Sequence, residues 1–146
     1  MVRVRHARAE DADAVLALLA ELGRPAVAPD PAPQRAVLLA HLDHPDGTLF
    51  VAEEDGEVVG CASLWIRPRL NWTTPEAWLP DLVVTASRRR RGAARALVDA
   101  CAAEGRRRGC HALKLESGHE RADAHALYEA LGFEDFGRAY RLRLAP

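Results

Sequence analysis

Apolar positions change their period several times along this chain, and each change predicts an element. Val2 to Ala7 alternate apolar with polar side chains, most of them basic, the two-residue period of a short strand. Ala9-Glu10-Asp11-Ala12-Asp13 then opens a helix with acids in its first turn, where they meet the positive end of the peptide dipole. Val15, Leu16, Leu18, Leu19 and Leu22 make its apolar face, and Gly23 stops it. Four prolines between Arg24 and Pro33 predict an irregular loop. A second helix runs from about Gln34 to His44, ahead of Pro45-Asp46-Gly47. Leu49 to Glu53, the turn Glu54-Asp55-Gly56 and Glu57 to Ile66 predict a β-hairpin, because Asp-Gly supplies the backbone that a tight turn needs. Arg67 to Pro75 reads as a loop and Glu76 to Val84 as a strand. A long helix follows from about Arg90 to Arg108, closed by Gly109. His111 to Glu116 is a strand, Arg121 to Leu131 a helix closed by Gly132, and Arg138 to Leu144 a final alternating strand. Strands interleaved with helices around a hairpin predict an α/β fold on a mixed sheet.

Composition narrows the possibilities. At 146 residues the expectation is one domain, residues 1–146, large enough to bury a core without disulfides or metals. The net charge of -1 counts against a nucleic-acid binder, which normally carries a domain-wide positive excess. Cys61, Cys101 and Cys110 are odd in number and follow no framework spacing, which predicts reduced thiols in a cytoplasmic protein. Neither a signal peptide nor a membrane-spanning run is expected. Lys114 is the sole lysine against many arginines, a bias that, with the heavy use of alanine, fits a GC-rich bacterial genome.

One run of charge then stands out. Arg88, Arg89, Arg90 and Arg91 lie where the long helix begins, against its dipole, whereas Arg106, Arg107 and Arg108 lie where it ends and suit it. The second run needs no ligand. The first makes sense if an anion docks there, drawing backbone N–H groups, dipole and guanidinium groups to one point. Gly92, Ala93 and Ala94 keep bulk away from such an anion, and Leu82-Val83-Val84 leads into the turn as a strand. The run lacks the Gly-Lys-Ser/Thr ending of a Walker loop and the three spaced glycines of a dinucleotide fingerprint. From the residues alone, a phosphate-bearing ligand and a solvated arginine cluster both stay open.

Arg89-Arg90-Arg91-Gly92-Ala93-Ala94 resembles the (Gln/Arg)-x-x-Gly-x-(Gly/Ala) motif of the GNAT superfamily of acetyl-CoA-dependent N-acetyltransferases. Asp81-Leu82-Val83-Val84 is similar to that family's fourth strand, and Ala124-His125-Ala126-Leu127-Tyr128-Glu129-Ala130-Leu131-Gly132-Phe133 resembles its C-terminal helix with Gly-Phe. The resemblance covers about Arg3 to Leu144. Ser117 to His125 looks closest to a bacterial subgroup that includes aminoalkylphosphonate N-acetyltransferases. It implies a mixed sheet of six to seven strands, about four flanking helices, and a bulge that splays the fourth strand from the fifth.

The resemblance also implies the chemistry. Acetyl-CoA is the co-substrate and no metal is expected. Backbone N–H groups from Arg89 to Ala94 hold the pyrophosphate, and Arg88 or Arg90 reaches the ribose phosphate. Leu82, Val83 and Val84 pair with the pantetheine arm as though it were an added strand. The Val83 N–H donates to the thioester oxygen as charge develops there in a tetrahedral intermediate. Asp81 and then Glu116 are the candidate bases that take a proton from the acceptor ammonium, directly or through water. Tyr128 is the general acid for the leaving thiolate. A phenol near pKa 10 is a weaker acid than a thiol near 8.5, so full transfer is uphill by about 2 kcal/mol and hydrogen bonding is a large part of that role. Strand-end carboxylates and helix tyrosines also serve as ordinary packing groups.

Several residues depart from the pattern or have plainer roles. Arg121 stands where many members have asparagine, so that role is not carried over. His125, a turn before Tyr128, is either a substrate contact or a satisfied core histidine. His41 and His44 have no third ligand in view. Trp65, Trp72 and Trp78 serve as core or as acceptor-pocket walls. Acceptor specificity is expected in the Arg24 to Pro33 and Arg67 to Pro75 loops. The leading function is N-acetylation of a small primary amine. A CoA-binding regulator without turnover, a protein N-acetyltransferase and, last, a nucleic-acid binder are the alternatives. Dimers are common in the family, and no pattern here proves one.

Overall fold

The computed structural model describes residues 1–23, 29–116 and 122–145. Residues 24–28 of the proline-rich loop, together with 117–121, which include Arg121, lie outside the described residues. Residues Met1–Leu115 and Glu116–Pro146 form two compact units.

In the first unit, β1 (Arg3–His6) pairs antiparallel with β2 (Gly47–Glu54), and β2 with β3 (Glu57–Arg67). Asp55 and Gly56, at φ 54° and 78°, close that hairpin, as the Asp-Gly signal predicts. α1 (Ala12–Ala20) and α2 (Ala32–Asp43) precede β2. α1 begins after a one-turn 3-10 helix at Ala9–Asp11. The buried Asp11 carboxylate accepts both Arg5 amino groups, at 2.8 and 2.9 Å, and the Arg8 N–H at 2.7 Å. The acid expected to favour the helix dipole therefore also ties the helix to β1. α2 starts two residues earlier than predicted, with Pro33 tolerated at its second position because N–H groups there have no helical partner.

The predicted strand Glu76 to Val84 is broken in two, β4 (Glu76–Trp78) and β5 (Leu82–Val84). β4 pairs antiparallel with β3 and parallel with β6 (Leu113–Lys114), whereas β5 pairs with β3. β6 is shorter than the predicted His111 to Glu116. α3 (Ala93–Arg107) begins three residues later than predicted, because Arg90 and Gly92 have positive φ and cannot be helical.

The sheet separates two apolar layers. Ala12, Val15 and Leu18 of α1 and Leu38 of α2 pack with Leu49, Val51, Cys61 and Val83 on one face. α3 covers the other, with Leu97, Val98 and Cys101 buried. Gly60 allows close packing there, since a Cβ would lie 3.2 Å from Leu97 Cδ1 and 3.0 Å from the Val83 carbonyl oxygen and would push on both.

The second unit contains α4 (Ala122–Ala130), followed by the left-handed Gly132. The predicted strand over residues 138–144 is not formed; Tyr140, Leu142 and Leu144 are exposed and the segment has no regular structure. Alternation marks a segment able to show one apolar face, but a strand needs a neighbour to take its N–H and C=O groups.

Candidate active site

Counting residues across the break in the strand explains its geometry. Trp78 is opposite Trp65, and Asp81 is opposite Ser63, whose N–H donates to the Asp81 carbonyl at 2.9 Å. Three residues therefore match two on β3, which makes Leu79-Pro80 a β-bulge. Pro80 has no N–H to offer a ladder. Beyond the Leu79 N–H, which donates to the Lys114 carbonyl at 2.8 Å, β6 no longer accompanies the strand. The expected bulge and splay are thus present, between β5 and β6.

Register then decides which backbone groups face the gap. Ser63 bonds Asp81, and the Thr85 N–H donates to the Val59 carbonyl at 2.8 Å. The antiparallel alternation between those two pairs turns the Val83 N–H and C=O toward Cys61. The expectation that Val83 donates to the thioester oxygen is therefore corrected: its N–H belongs to the ladder. Leu82 and Val84 present their backbone groups to the open side. The Val84 carbonyl already accepts the Arg89 Nε at 3.1 Å, which confirms its direction.

The strand runs through a one-turn 3-10 helix (Ala86–Arg88) into the arginine run. Arg90 has φ 64° and Gly92 φ 91°, and Gly92 caps α3 without any side-chain hydrogen bond. The first helical bond runs from the Ala96 N–H to the Gly92 carbonyl, so the N–H groups of Ala93, Ala94 and Arg95 are free of the helix ladder. Left-handed residues next to a helix N-terminus turn successive N–H groups into one concavity, an anion nest reinforced by the dipole.

Part of the answer to the arginine question lies inside the protein. Glu54, nearly buried at the end of β2, accepts Arg88 at 2.8 Å and Arg91 at 2.7 Å on the same oxygen. Those guanidinium groups hold its carboxyl below the usual range, Arg91 most strongly. Arg88 also reaches Asp55 and Glu57 at 3.3 and 3.4 Å. Arg88 is thus committed to the hairpin, which corrects its assignment to a ribose phosphate. Arg90 stays exposed. Residue order could have pointed to Glu54: Glu53-Glu54-Asp55-Gly56-Glu57 is the most acidic stretch beside a turn, matching the most basic one.

Asp81 lies on the α1–α2 face with Val83, two residues on, because the bulge precedes both. The Ser63 hydroxyl donates to its Oδ2 at 2.7 Å and fixes its orientation. Along the chain Asp81, Leu82 and Val84 lead through the one-turn helix at Ala86–Arg88 to the nest at 92–95, one track in sequence order. Glu116 and Tyr128 belong to the second unit. Glu116 is exposed; Tyr128 is half-buried on α4, edge-on to Phe133 with ring centroids 5.9 Å apart. His125 precedes it by one turn on the same helix.

His41 proves structural. It is buried, its Nε2 is 2.8 Å from the Thr48 carbonyl, and its ring meets the edge of Trp65. The thiols are structural too: burial pushes Cys61 up to about 12, with a smaller push from the Asp81 charge, and burial does the same to Cys101. A chromogenic disulfide reagent at pH 8 is therefore expected to leave both unreacted in the native protein and to find all three thiols after denaturation. Fast native reaction of two or more thiols would contradict the buried positions.

A family model described as the acetyltransferase (GNAT) family matches residues 14–133. An aminoglycoside N(6')-acetyltransferase type 1 of Stenotrophomonas maltophilia is 36% identical over 69% of this chain and 70% of its own. The aminoalkylphosphonate N-acetyltransferase of Salmonella typhimurium is 30% identical over 90% of this chain and 84% of its own. Among solved structures, the acetyltransferase AAC(6')-Iy with a bisubstrate analogue of CoA and acetylneamine superposes with TM-score 0.86 at 26% identity, covering all of this chain and 99% of that one. No helix among the described residues is long and apolar enough to cross a membrane.

Proposed function

The chain belongs to the GNAT acetyltransferase family, and on that premise we propose that it moves the acetyl group of acetyl-CoA to the primary amine of a small molecule. The observation that carries this reading is the track just described, a strand edge unpaired among the described residues that leads into an anion nest. A phosphate-ended, amide-containing arm fits it: the nest takes oxyanions, and Leu82 and Val84 offer the strand pairing that amides accept. Arg89, Arg90, Arg91, Gly92, Ala93 and Ala94 would hold the pyrophosphate end. Acetyl-CoA supplies the acyl group already activated as a thioester.

The protein's own part is positional and acid–base. Leu82 or Val84, in place of Val83, donates an N–H toward the acyl oxygen. Asp81, set by Ser63, is the proposed base for the acceptor ammonium, ahead of the exposed Glu116. Tyr128 is the proposed proton donor to the departing sulfur. Residues 1–146 act as one catalytic domain, working in the cytoplasm on a small amine. Both named relatives acetylate amines of small molecules by their names, and their acceptors differ in charge.

The test is calorimetric titration with acetyl-CoA beside a thiol-release assay on a panel of amines. One-site binding and amine-dependent thiol release are expected. Tyr128→Phe is expected to lower kcat about 100-fold with KM for acetyl-CoA unchanged. Binding without release for any amine would favour a regulator that only senses CoA. Absence of binding by the folded protein would end the proposal.

A further inference from the structure

Beyond the bulge, toward the far end of β3 and β4, one carboxylate is surrounded by more positive charge than it needs. Glu76 is 1% exposed. Its Oε1 accepts Arg69 at 2.7 Å and Arg67 at 3.3 Å, and its Oε2 faces Lys114 Nζ at 2.7 Å. Lys114 supplies one counter-charge at Oε2. The two arginines are instead more than one-third exposed, share a single oxygen, and each spend one nitrogen on it. Their remaining N–H groups have no carboxylate partner among the described residues. The Arg67 guanidinium lies 4.6 Å above the Trp78 ring, which holds it in place from below.

These groups share a face with the proposed base. Ser63, Trp65 and Arg67 alternate along β3 on the same side, opposite Asp81, Trp78 and Glu76 respectively. Aromatic rings crowd this end. His41 and His44 meet the Trp65 edge, and Trp72 stacks on His111 at 4.0 Å. Trp78 Nε1 and His111 Nε2 are buried with no hydrogen-bond partner among the described residues, so the polar complement at this end is unfinished. Asp46, the nearby acid of the β2 entry, is already taken by Arg108 at 2.8 Å.

We propose that the acceptor amine carries an oxyanion group, a carboxylate, phosphate or phosphonate, and that Arg67 and Arg69 bind it. This rests on the acetyltransferase reading above and decides between the two kinds of acceptor. A polycationic amine would be repelled by the two part-exposed guanidinium groups that share one carboxylate oxygen, whereas an acid-bearing amine brings the counter-charge that forked guanidinium groups take up. Spacing follows from register. Arg67 lies four residues along β3 from Ser63, about 13 Å, and its guanidinium leans back one pair step, about 7 Å, over Trp78. Acid and amine should then stand roughly five to eight bonds apart in an extended chain.

The test uses the full chain with acetyl-CoA and a series of ω-aminoalkylphosphonates from one to eight methylenes. Matched n-alkylamines and one aminoglycoside serve as comparators. We expect kcat/KM to peak at about four to seven methylenes, roughly 10-fold or more above the matched alkylamine, with the aminoglycoside poorest. In the double variant Arg67→Ala, Arg69→Ala the advantage of the phosphonate disappears through KM, not kcat. Arg67→Lys with Arg69→Lys keeps the charge against Glu76 and guards against a folding defect; it should keep about one-fifth of the preference. Equal rates with plain amines, or best rates with the aminoglycoside, would overturn this proposal and leave the acetyltransferase reading standing. Calorimetry with the best-spaced phosphonate separates the reverse case: arginine-dependent binding with no thiol release keeps the subsite and removes the reading.

Discussion

Gly92→Val should weaken acetyl-CoA binding about 100-fold, a loss near 2.7 kcal/mol. Two effects add. Gly92 has φ 91°, a region that a β-branched residue occupies only at a cost of about 1–3 kcal/mol. The backbone would relax away from it and misdirect the N–H groups of Ala93 and Ala94, each of which is a hydrogen bond to a charged group, typically about 1.5–3 kcal/mol. Among the described residues, no atom beyond Gly92 and its two chain neighbours lies within 4 Å of the position a Cβ would take, so the protein interior is not overpacked and the fold should survive. Gly109→Val is the matched control, with the same left-handed backbone at φ 75° at the other end of α3 and nothing within 4 Å. It should lose similar stability and keep its affinity. Calorimetry on both variants, read against their melting temperatures, checks this. Equal affinity for the Gly92 variant would mean the nest is not where the anion binds.

Glu76→Gln should cost about 3 kcal/mol of unfolding free energy at pH 7, the largest stability effect we expect from one polar substitution. Burial alone would raise the Glu76 carboxyl, but hydrogen bonds from Lys114 and Arg69 and the charges of Arg67 and Lys114 hold it down to about 2. The amide matches the carboxylate in size and takes the Glu76 charge away from Arg67, Arg69 and Lys114. The lower end of the usual range applies because Arg67 and Arg69 are partly screened by water. The sign with pH follows from the depressed value. This stabilisation is complete above the unfolded pKa near 4.5 and is lost as pH falls from there toward 2, where the native carboxylate takes up its proton. Urea unfolding of the parent and the variant at pH 7 and at pH 3 should show the gap narrowing at the lower pH. A gap of constant size would mean that packing, not charge, carries the Glu76 contribution.

Local signals were the readable ones. Asp55-Gly56 marks its hairpin because only a few residue types adopt two successive positive φ values; Gly92 also has positive φ, yet the sequence reading starts α3 at Arg90, ahead of it. The placing of Asp81 with Val83 on one face needed only the two-residue period. What could not be read depends on pairing between distant segments. Which of Leu82, Val83 and Val84 turns its N–H outward is set by the register with Val59 to Ser63, and a one-residue bulge at Leu79-Pro80 fixes that register. Glu54 was missed as partner for Arg88 and Arg91 because 34 and 37 residues separate them from it. The Arg138 to Leu144 alternation failed for the opposite reason: the pattern is local, but a strand is made by its neighbour. Tyr128 shows the limit from another side, since a tyrosine on a helix reads as packing until a family motif gives it a chemical role.

The bulge makes the site depend on parity. Three residues opposite two leave Trp78 and Asp81 on one face although an odd number separates them. Deleting Pro80 would restore an even count and a flat strand, and one face would have to give up its residues. Either Asp81 would swing into the layer beneath α3, or Trp78 and Glu76 would turn away from their cations. The straightened strand would also present β6 with a ladder it could continue, sealing the gap that leaves Leu82 and Val84 open. In this region, then, chain length is tolerated by oddness more than by amount. The loss of one residue between β4 and β5 would erase the site from an otherwise intact sheet.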